Sequence, residues 1–419
     1  MRRTILHPLC LIAALSASGC LDPSLEPELE RRESAIAEVS NTAVERQSIG
    51  NCWLYAAASW VESMNLAYQE AQGAPVEPLD VSQSFWTYWH WFDQVTGYMW
   101  KSEISTGGGT WQSSSIMRDR GLMKESDFVS DDSLAEMSAR QSAALSRINT
   151  ALKSGELSTE AARGDRKLVR RVFDGAWELT ADVRAELDKV FGTDGALKLR
   201  SGAKVAGTRI IDPTTVKVRY AKWAANKVQY KVATLVDAIL EWRSVSYPED
   251  ESERRQTQIR VQRALHARQP VGITWNVDFN ALENRENERR GSFNLQTLEE
   301  SGRPGHQGGH MTVLHDYEAE TAAHGVLKAG VTLDPMIAAD ALKLEAALLP
   351  TTTIKLLRTK NSWGASRADR SFAPGFPGYH DLWLDYLNGP FKWCPDSTSP
   401  SDCNDEAQGL RQLLMPPGF

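Results

Sequence analysis

The hydrophobic pattern of this chain changes once, near residue 268, and that change limits the folds that are open to it. Before this point apolar residues recur with helical spacing, and after it short β-type runs are separated by connections rich in glycine and proline. The helical segments are 52–70, 82–95, 131–195, 231–242 and 253–268, and the strand-like ones begin at 310, 353 and 379. A helical first part followed by a strand-rich second part predicts an α+β fold.

Length and composition bound the class of protein. The 419 residues are enough for two to three domain-sized units, and 42% hydrophobic with 24% charged residues is ordinary for a soluble globular chain. The net charge is −7 and no dense block of lysine and arginine occurs, so nucleic acid is not an expected partner. No cluster of cysteine, histidine and aspartate has the spacing of metal ligands, so we predict no metal and no cofactor.

The N-terminus has the layout of a bacterial export signal. Arg2 and Arg3 precede a short apolar stretch, which is too short for a membrane span, and small residues then lead to Cys20. The ending SASGC resembles a lipobox, in which Cys20 would be lipidated, although Ala17 stands where leucine is usual. A plain signal peptide cleaved nearby is the alternative. We expect an exported protein of the cell envelope, lipid-anchored at the outer membrane or extracellular face.

Cysteine usage fits export. Cys52, Cys394 and Cys403 lie beyond the leader, and an odd number of cysteines in an exported protein predicts one pair and one free thiol. Cys394 and Cys403 are close together in a polar loop, which makes a local disulfide the natural pairing. Cys52 is then unpaired, and an unpaired thiol in an oxidising compartment needs a reason to persist.

Cys52 stands at the start of an Ala-rich helical segment, after Gly50, which allows a tight turn. A nucleophilic cysteine needs a thiolate, and the positive end of a helix dipole and a neighbouring imidazolium both lower the thiol pKa. The alternative is an inert buried thiol, which is common for single cysteines.

Two further residues can supply a base and the group that orients it. His310 follows two glycines and begins an apolar strand, and His306 and His315 compete with it in the same stretch. His315 would point to the other face of the strand. Asn361, in TKNSWG, can fix the tautomer of an imidazole while Trp363 shields the bond, or it can be a simple turn residue.

The segments GNCW, GGHM and KNSWG, in this order, resemble the papain-like cysteine peptidases. The resemblance implies Cys52 as nucleophile, His310 as general acid and base, and Asn361 as the residue that orients His310. It implies hydrolysis of peptide bonds through a thioester, with a peptide or protein as substrate. The family places its oxyanion glutamine six residues before the cysteine, where Arg46 stands. Either Gln47, five before, still donates, or the oxyanion hole is weakened.

Two more segments are similar to the bleomycin hydrolase and aminopeptidase C branch of this family. These are LDVSQSFW and GGGTWQ, and in the second Gly108 and Gly109 would line the cleft that takes substrate backbone. The structural alternative for the glycines is a flexible turn. Aminopeptidase and endopeptidase action both stay open, as does the oligomeric state.

The resemblance implies a two-lobed α+β fold, with a helical N-terminal lobe that carries a helical insertion and a β-barrel-like C-terminal lobe. A second reading is a non-catalytic binding protein of the cell envelope that keeps this scaffold with a poor oxyanion hole. The expected divisions are a signal peptide (1–19), a tether (20–43), a helical lobe with the nucleophile (44–130), the insertion (131–250), the β-rich lobe with histidine and asparagine (251–390) and a tail (391–419).

Overall fold

A computed structural model describes residues 39–73, 75–129, 137–302, 304–394 and 403–419. The predicted signal peptide, Cys20 and most of the predicted tether lie outside the described residues. Within those ranges, none of the helices is both long enough and apolar enough to span a membrane.

Helices dominate the first half of the described chain. The helices are α1 Cys52–Ala71, α2 Gln83–Gly97, α3 Thr110–Arg120, α4 Glu125–Phe128, α5 Met137–Ser154, α6 Glu160–Gly164, α7 Arg166–Ala176, α8 Ala181–Phe191, α9 Leu235–Glu241, α10 Glu251–His266, α11 Leu295–Ser301, α12 Ala338–Ala347 and α13 Leu384–Asn388. The strands are β1 Lys217–Ala224, β2 Lys227–Thr234, β3 Arg243–Ser246, β4 Gly272–Asp278, β5 Ser292–Phe293, β6 Gln307–Thr321, β7 Gly325–Leu327, β8 Thr353–Lys360, β9 Tyr379–Trp383, β10 Phe391–Trp393, β11 Asn404–Ala407 and β12 Leu410–Met415.

The second half is built on one eight-stranded sheet, in the order β3-β12-β4-β6-β8-β9-β5, with β7 paired to β6. The long strand β6 lies at its centre, antiparallel to β4 and to β8. The fold is therefore mixed α+β, with a helical N-terminal part and a sheet in the C-terminal part. Closure of the sheet into a barrel-like lobe stays a prediction.

Helix α1 lies between the two parts and is buried along most of its length. It contacts β1 on one side and β6 on the other. Ala56, Ala57 and Ala58 are at most 5% exposed, and such small side chains let a strand approach the helix closely. An all-round apolar helix is typical of a buried position.

The aromatic residues of α2 form the core of the helical part. Phe85, Trp86, Tyr88, Trp89 and Trp91 are each fully buried, as their pattern predicts. The rings of Phe85, Tyr88 and Trp89 meet edge to face, the arrangement that the ring quadrupole favours, and Trp91 is tilted by 43° against Trp177.

The segment 231–242 differs from its predicted helix. Its first residues belong to the hairpin of β1 and β2, whose turn at Ala225 and Asn226 has positive φ at both positions. This is the backbone that a two-residue hairpin turn requires, yet alanine is an unusual residue for it. Helix α9 begins only at Leu235, because Thr234 accepts a hydrogen bond from the Asp237 N–H and Asp237 accepts one from the Thr234 N–H.

A buried polar cluster joins the two halves behind α1. The Lys360 ammonium donates to Thr42 Oγ1 over 2.9 Å, and Thr42 donates to Glu62 over 2.5 Å. Glu45 accepts a hydrogen bond from Gln83 over 2.6 Å. Burial raises the pKa of both Glu45 and Glu62, and the charge of Lys360 opposes this shift for each. The cluster therefore depends on its lysine.

We expect Lys360→Met to lower the free energy of unfolding by about 3–5 kcal/mol at pH 8, because it leaves two buried carboxyls without their cation. Without Lys360 the folded-state pKa values of Glu45 and Glu62 rise further above their unfolded values. The loss should therefore shrink when the pH falls towards about 4.5, where the carboxyls are protonated in both states.

Urea unfolding at pH 8 and pH 5 measures this difference. The matched control is Lys153→Met, which removes an exposed lysine paired with the exposed Glu103 at 3.4 Å. This surface pair should contribute at most about 1 kcal/mol. Equal losses for the two variants at pH 8 would contradict the account of the cluster.

Candidate active site

The segment that precedes Cys52 is attached to the segment that follows β8. Arg46 and Trp363 form an antiparallel bridge. The Gln47 N–H donates to the Ser362 carbonyl over 2.8 Å, and the Gly364 N–H donates to the Glu45 carbonyl over 2.9 Å. This pairing brings the approach to α1 alongside Asn361.

Cys52 is the first residue of α1 and is 8% exposed. The preceding Asn51 does not cap the helix with its side chain, which donates instead to Thr87 over 3.1 Å and to Gln141 over 2.9 Å. The backbone of Met311 lies near the thiol and lowers its pKa, against the larger effect of burial. Cys52 therefore sits at an uncapped helix N-terminus, next to the residue that follows His310.

His310 is held by Asn361. The His310 Nε2 donates to the Asn361 Oδ1 over 2.8 Å, and both side chains are buried. The imidazole stacks on Trp363 with ring centroids 4.7 Å apart and an interplanar angle of 19°. Because Nε2 carries the proton of the neutral imidazole in this bond, Nδ1 is the nitrogen that can accept a further proton.

His380 is a buried residue of this site that sequence analysis misses. The Asn361 Nδ2 donates to the His380 Nδ1 over 3.2 Å, and the Ser362 N–H donates to the Asn361 Oδ1 over 2.7 Å. These two bonds assign the amide orientation that presents oxygen to His310. Burial lowers the pKa of His380 to about 3, so the ring is neutral at pH 7 and can accept from Asn361. The only sequence signal for His380 is its position in a short β-type segment in which side chains alternate between the two faces.

The two competing histidines lie elsewhere. His306 is exposed and stacks on Phe279 at a centroid distance of 6.0 Å. His315 Nδ1 lies 3.1 Å from the Asn41 side-chain nitrogen, and its ring packs on Tyr379. Of the three histidines in this stretch, His310 is the one that the structure places against Asn361.

Burial favours the uncharged forms of Cys52 and His310. It raises the pKa of the Cys52 thiol to about 11, although N–H groups of Met311 and Trp53 lower it. Burial also lowers the pKa of His310 to about 4. The hydrogen bond to Asn361 raises this pKa, and the charge of Arg370 lowers it further. The predicted thiolate at a helix dipole is therefore opposed by desolvation. Proton transfer from the thiol to Nδ1 leaves the net charge of the buried pair at zero.

Gln47 is fixed beside Asn361 by both ends of its amide. Its Nε2 donates to the Ile49 carbonyl over 2.9 Å, and its Oε1 accepts from the Ser362 hydroxyl. A primary amide has a second N–H, which this bond does not use. The side chain of Arg46 is exposed, and its carbonyl accepts from the Tyr55 hydroxyl over 3.2 Å.

The glycine segment packs against the first turn of α1. Trp53 Nε1 donates to the Thr106 carbonyl over 3.0 Å. A Cβ at Gly108 would lie 2.5 Å from the Trp53 ring, so only glycine fits there without a shift. Gly108 is exposed, and Gly109 precedes α3 and donates its N–H to the Gln112 side chain over 3.1 Å. Both glycines therefore border the site of Cys52.

An apolar cavity of about 310 Å³ opens beside the glycine segment. Helices α1, α3 and α9 and strands β3, β4, β6 and β12 contribute to its walls. Trp111 is 73% exposed at its rim, and Met311 lines it next to His310. Small and apolar side chains make up most of the lining, and the guanidinium-bearing Arg118 and Arg243 also contribute; the apolar part includes Ala56, Ala57, Trp111, Met311 and Leu414.

Cys394 and Cys403 form a disulfide, with Cα atoms 4.3 Å apart. Among the described residues, Cys52 is the free cysteine. The ranges that the structure covers hold no group of three or more histidine, cysteine, aspartate or glutamate residues placed to bind a metal ion.

Phe419 lies against the β1–β2 hairpin and not in the apolar cavity. It is 3% exposed, its ring centroid is 6.0 Å from that of Trp223, and its carbonyl accepts from Arg260. A Cβ at Gly418 would lie 2.1 Å from the Trp223 carbonyl oxygen. The C-terminal residue therefore lies away from the cavity. Strand β12, which precedes it, belongs to the large sheet, and Leu414 of this strand lines the cavity.

Comparison with known proteins gives likeness at the level of structure. No protein-family profile matches the chain, and no curated protein matches it. PepW from Lactobacillus rhamnosis HN001 is similar with a TM-score of 0.42 and 11% identity, over 94% of this chain and 84% of that chain. Xylellain, a cysteine protease from Xylella fastidiosa, is similar with a TM-score of 0.33 and 10% identity, over 91% of this chain and 85% of that chain.

Proposed function

We propose that this protein is a papain-like cysteine peptidase that hydrolyses peptide bonds through Cys52. The observation that carries the proposal is the buried His310–Asn361 bond of 2.8 Å, on the strand whose next residue, Met311, has its backbone near the thiol of Cys52 at the start of α1. A nucleophile, a base and a group that orients the base are the parts that nucleophilic catalysis of this class requires. The motifs around these three residues support the same family.

In the proposed reaction, His310 Nδ1 accepts the thiol proton and the sulfur of Cys52 attacks the peptide carbonyl carbon. The C–N bond breaks, the leaving amine takes its proton from His310, and a thioester remains on Cys52. Water then attacks the thioester carbonyl while His310 accepts one of its protons, and the acid product leaves as the thiol is restored. Asn361 keeps Nδ1 directed at the sulfur throughout.

The oxyanion is proposed to bind the backbone N–H of Cys52 and the free N–H of the Gln47 amide. The bonds of Gln47 to Ile49 and Ser362 support this role, because they hold the amide in place without using that hydrogen. Gln47 would then supply the side-chain donor that the family pattern places at the position of Arg46. Loss of one such donor costs about 10²–10³ in rate.

The substrate is proposed to be a peptide that lies along Gly108 and Gly109 and places an apolar side chain of its acyl part in the cavity. Exposed backbone at Gly108 can pair with an extended chain. A cavity of about 310 Å³ that is lined by alanine, methionine, leucine and tryptophan suits an aliphatic or aromatic group.

A second candidate is a papain-like scaffold that binds partners without catalysis. The observation that favours it is the pKa of Cys52, which burial raises to about 11. A thiol that keeps its proton at pH 7 is a poor nucleophile unless a base removes that proton.

We also propose that the protein is exported and lipid-anchored at Cys20 in a bacterial cell envelope. The disulfide of Cys394 and Cys403 supports an oxidising compartment.

Replacement of Cys52 by alanine should abolish peptide hydrolysis. We expect kcat/KM for a quenched fluorescent peptide library to fall at least about 10³-fold, because the acyl-enzyme route is lost. The matched control is His315→Gln, which alters a buried histidine of the same strand that has its own asparagine partner. Peptide hydrolysis that persists in Cys52→Ala would contradict the peptidase assignment.

The base role of His310 can be tested by alkylation without any substrate. Burial raises the pKa of Cys52 to about 11, so at pH 7 the thiol keeps its proton until a neighbouring base accepts it as the sulfur attacks. We expect His310→Ala to slow iodoacetamide labelling of Cys52 at least tenfold at pH 7. The difference should shrink as the pH approaches 11, because the thiol then ionises unaided.

Mass spectrometry of the Cys52 peptide measures the labelling rate. His315→Ala should label at the rate of the wild type. Equal rates at pH 7 in wild type and His310→Ala would favour the non-catalytic scaffold.

Trp111→Ala should weaken selection of apolar substrates. Trp111 is 73% exposed, so its removal should not unfold the protein, but it removes a wall of the cavity. We expect kcat/KM to fall about tenfold for peptides with leucine or phenylalanine in the acyl part, in line with loss of part of a buried contact. Trp100→Ala is the control, since Trp100 is 66% exposed and does not line the cavity. Equal effects of the two substitutions on kcat/KM would contradict a role of the cavity in binding apolar side chains of the substrate.

A further inference from the structure

An arginine-rich cleft of about 570 Å³ lies along the loop that follows Trp363. Its walls are the loop between β8 and β9 and the loop that precedes β5. Arg290, Arg367 and Arg370 line it, and Glu286 is its one acidic lining residue among those described. The cleft is therefore predominantly cationic.

Arg370 connects this cleft to the candidate active site. Its guanidinium carbon lies 4.5 Å from the ring centroid of Trp363 and 4.4 Å from that of Phe279. Trp363 in turn stacks on His310. The charge of Arg370 also lowers the pKa of both His310 and His380, which places the guanidinium within electrostatic reach of the triad.

The order of strands separates the cleft from the apolar cavity. The cavity is lined from β3, β12, β4 and β6, whereas the loops of the cleft precede β9 and β5 at the other end of the sheet. His310 lies on β6 between them. A peptide whose acyl part lies along Gly108 and the cavity would therefore direct its leaving part towards Arg370.

Arg370 is held only loosely by protein carboxylates. Its nearest one is Asp369, at 3.5 Å, and Asp369 is 57% exposed and pairs more closely with Arg367, at 2.7 Å. A charge-assisted hydrogen bond of normal strength spans about 2.7–2.9 Å. Arg290 is paired with Glu286. The guanidinium groups of the three arginines outnumber the carboxylates of Glu286 and Asp369, which leaves a net positive charge. The Arg370 guanidinium can therefore donate hydrogen bonds to the carboxylate of a bound ligand.

We propose that Arg370 is a specificity-determining residue that selects substrates with a carboxylate in the leaving part. The carboxylate is that of an aspartate or glutamate side chain, or the free C-terminus of a short peptide. This inference rests on the proposed peptidase function. Its chemical basis is the fork of donors that a guanidinium offers to a carboxylate.

Matched quenched peptides test the proposal. One pair carries glutamate or glutamine in the first two positions after the scissile bond, and a second pair has a free or an amidated C-terminus. We expect the wild type to prefer the charged member of at least one pair, and Arg370→Gln to lower that ratio of kcat/KM about tenfold. The pair that responds identifies the source of the carboxylate.

Arg370→Lys should retain part of the ratio, since it keeps the charge but not the fork. Arg171→Gln is the control, because Arg171 is a 70% exposed arginine paired with Glu156 in the helical part. Circular dichroism checks that each variant is folded. A ratio that is the same in wild type and Arg370→Gln would overturn the proposal.

A second readout separates this inference from the peptidase assignment. Iodoacetate is an anion and iodoacetamide is neutral, so the ratio of their rates at Cys52 reports the local charge without any peptide hydrolysis. We expect Arg370→Gln to lower this ratio about threefold or more and Arg171→Gln to leave it unchanged. If no peptide is cleaved but the ratio falls, the peptidase function fails and anion selection by Arg370 stands. An unchanged ratio overturns the role of Arg370 in either case.

Discussion

The short pairing between residues 45–47 and 362–364 is the constraint on which the candidate site depends. It attaches the entry to α1, which lies between the helical and sheet parts, to the end of β8. Cys52 is thereby fixed relative to Asn361 by backbone hydrogen bonds and not by side-chain packing alone. The buried cluster around Lys360 stabilises the same junction, because Lys360 precedes Asn361 and Glu45 is the first residue of the paired segment.

Burial has two opposite effects on this site. It excludes water from the His310–Asn361 bond and lets Trp363 and His380 hold the pair in one orientation. It also raises the pKa of Cys52 and lowers that of His310, which disfavours a resting ion pair. A proton that moves between the two groups avoids an isolated buried charge, so the proposed chemistry relies on their adjacency more than on the helix dipole.

The sequence predicts part of this arrangement. Cys52 is expected at a helix start, and the structure has it there. His310 is expected to begin a strand, but β6 begins at Gln307 and already includes Gly308 and Gly309, because the glycines pair with β4. Three features could not be predicted, because they depend on contacts between distant segments. His380 meets Asn361 only when β9 pairs with β8, Phe419 packs on a hairpin whose Ala225–Asn226 turn has no strong signal, and β12 joins the sheet between β3 and β4. Burial raises the pKa of Cys52, against the helix dipole and imidazolium that the sequence suggests, because desolvation is not visible in a sequence.

The central claim is that Cys52 carries the acyl group of a peptide during hydrolysis. Intact-protein mass spectrometry after a rapid acid quench, with a peptide thioester or activated ester as substrate, tests it most directly. The account predicts a mass increase equal to the acyl part, located on the Cys52 peptide, that decays as product forms. Turnover with an unmodified Cys52 at every quench time, and with the acyl group on another residue, would contradict it.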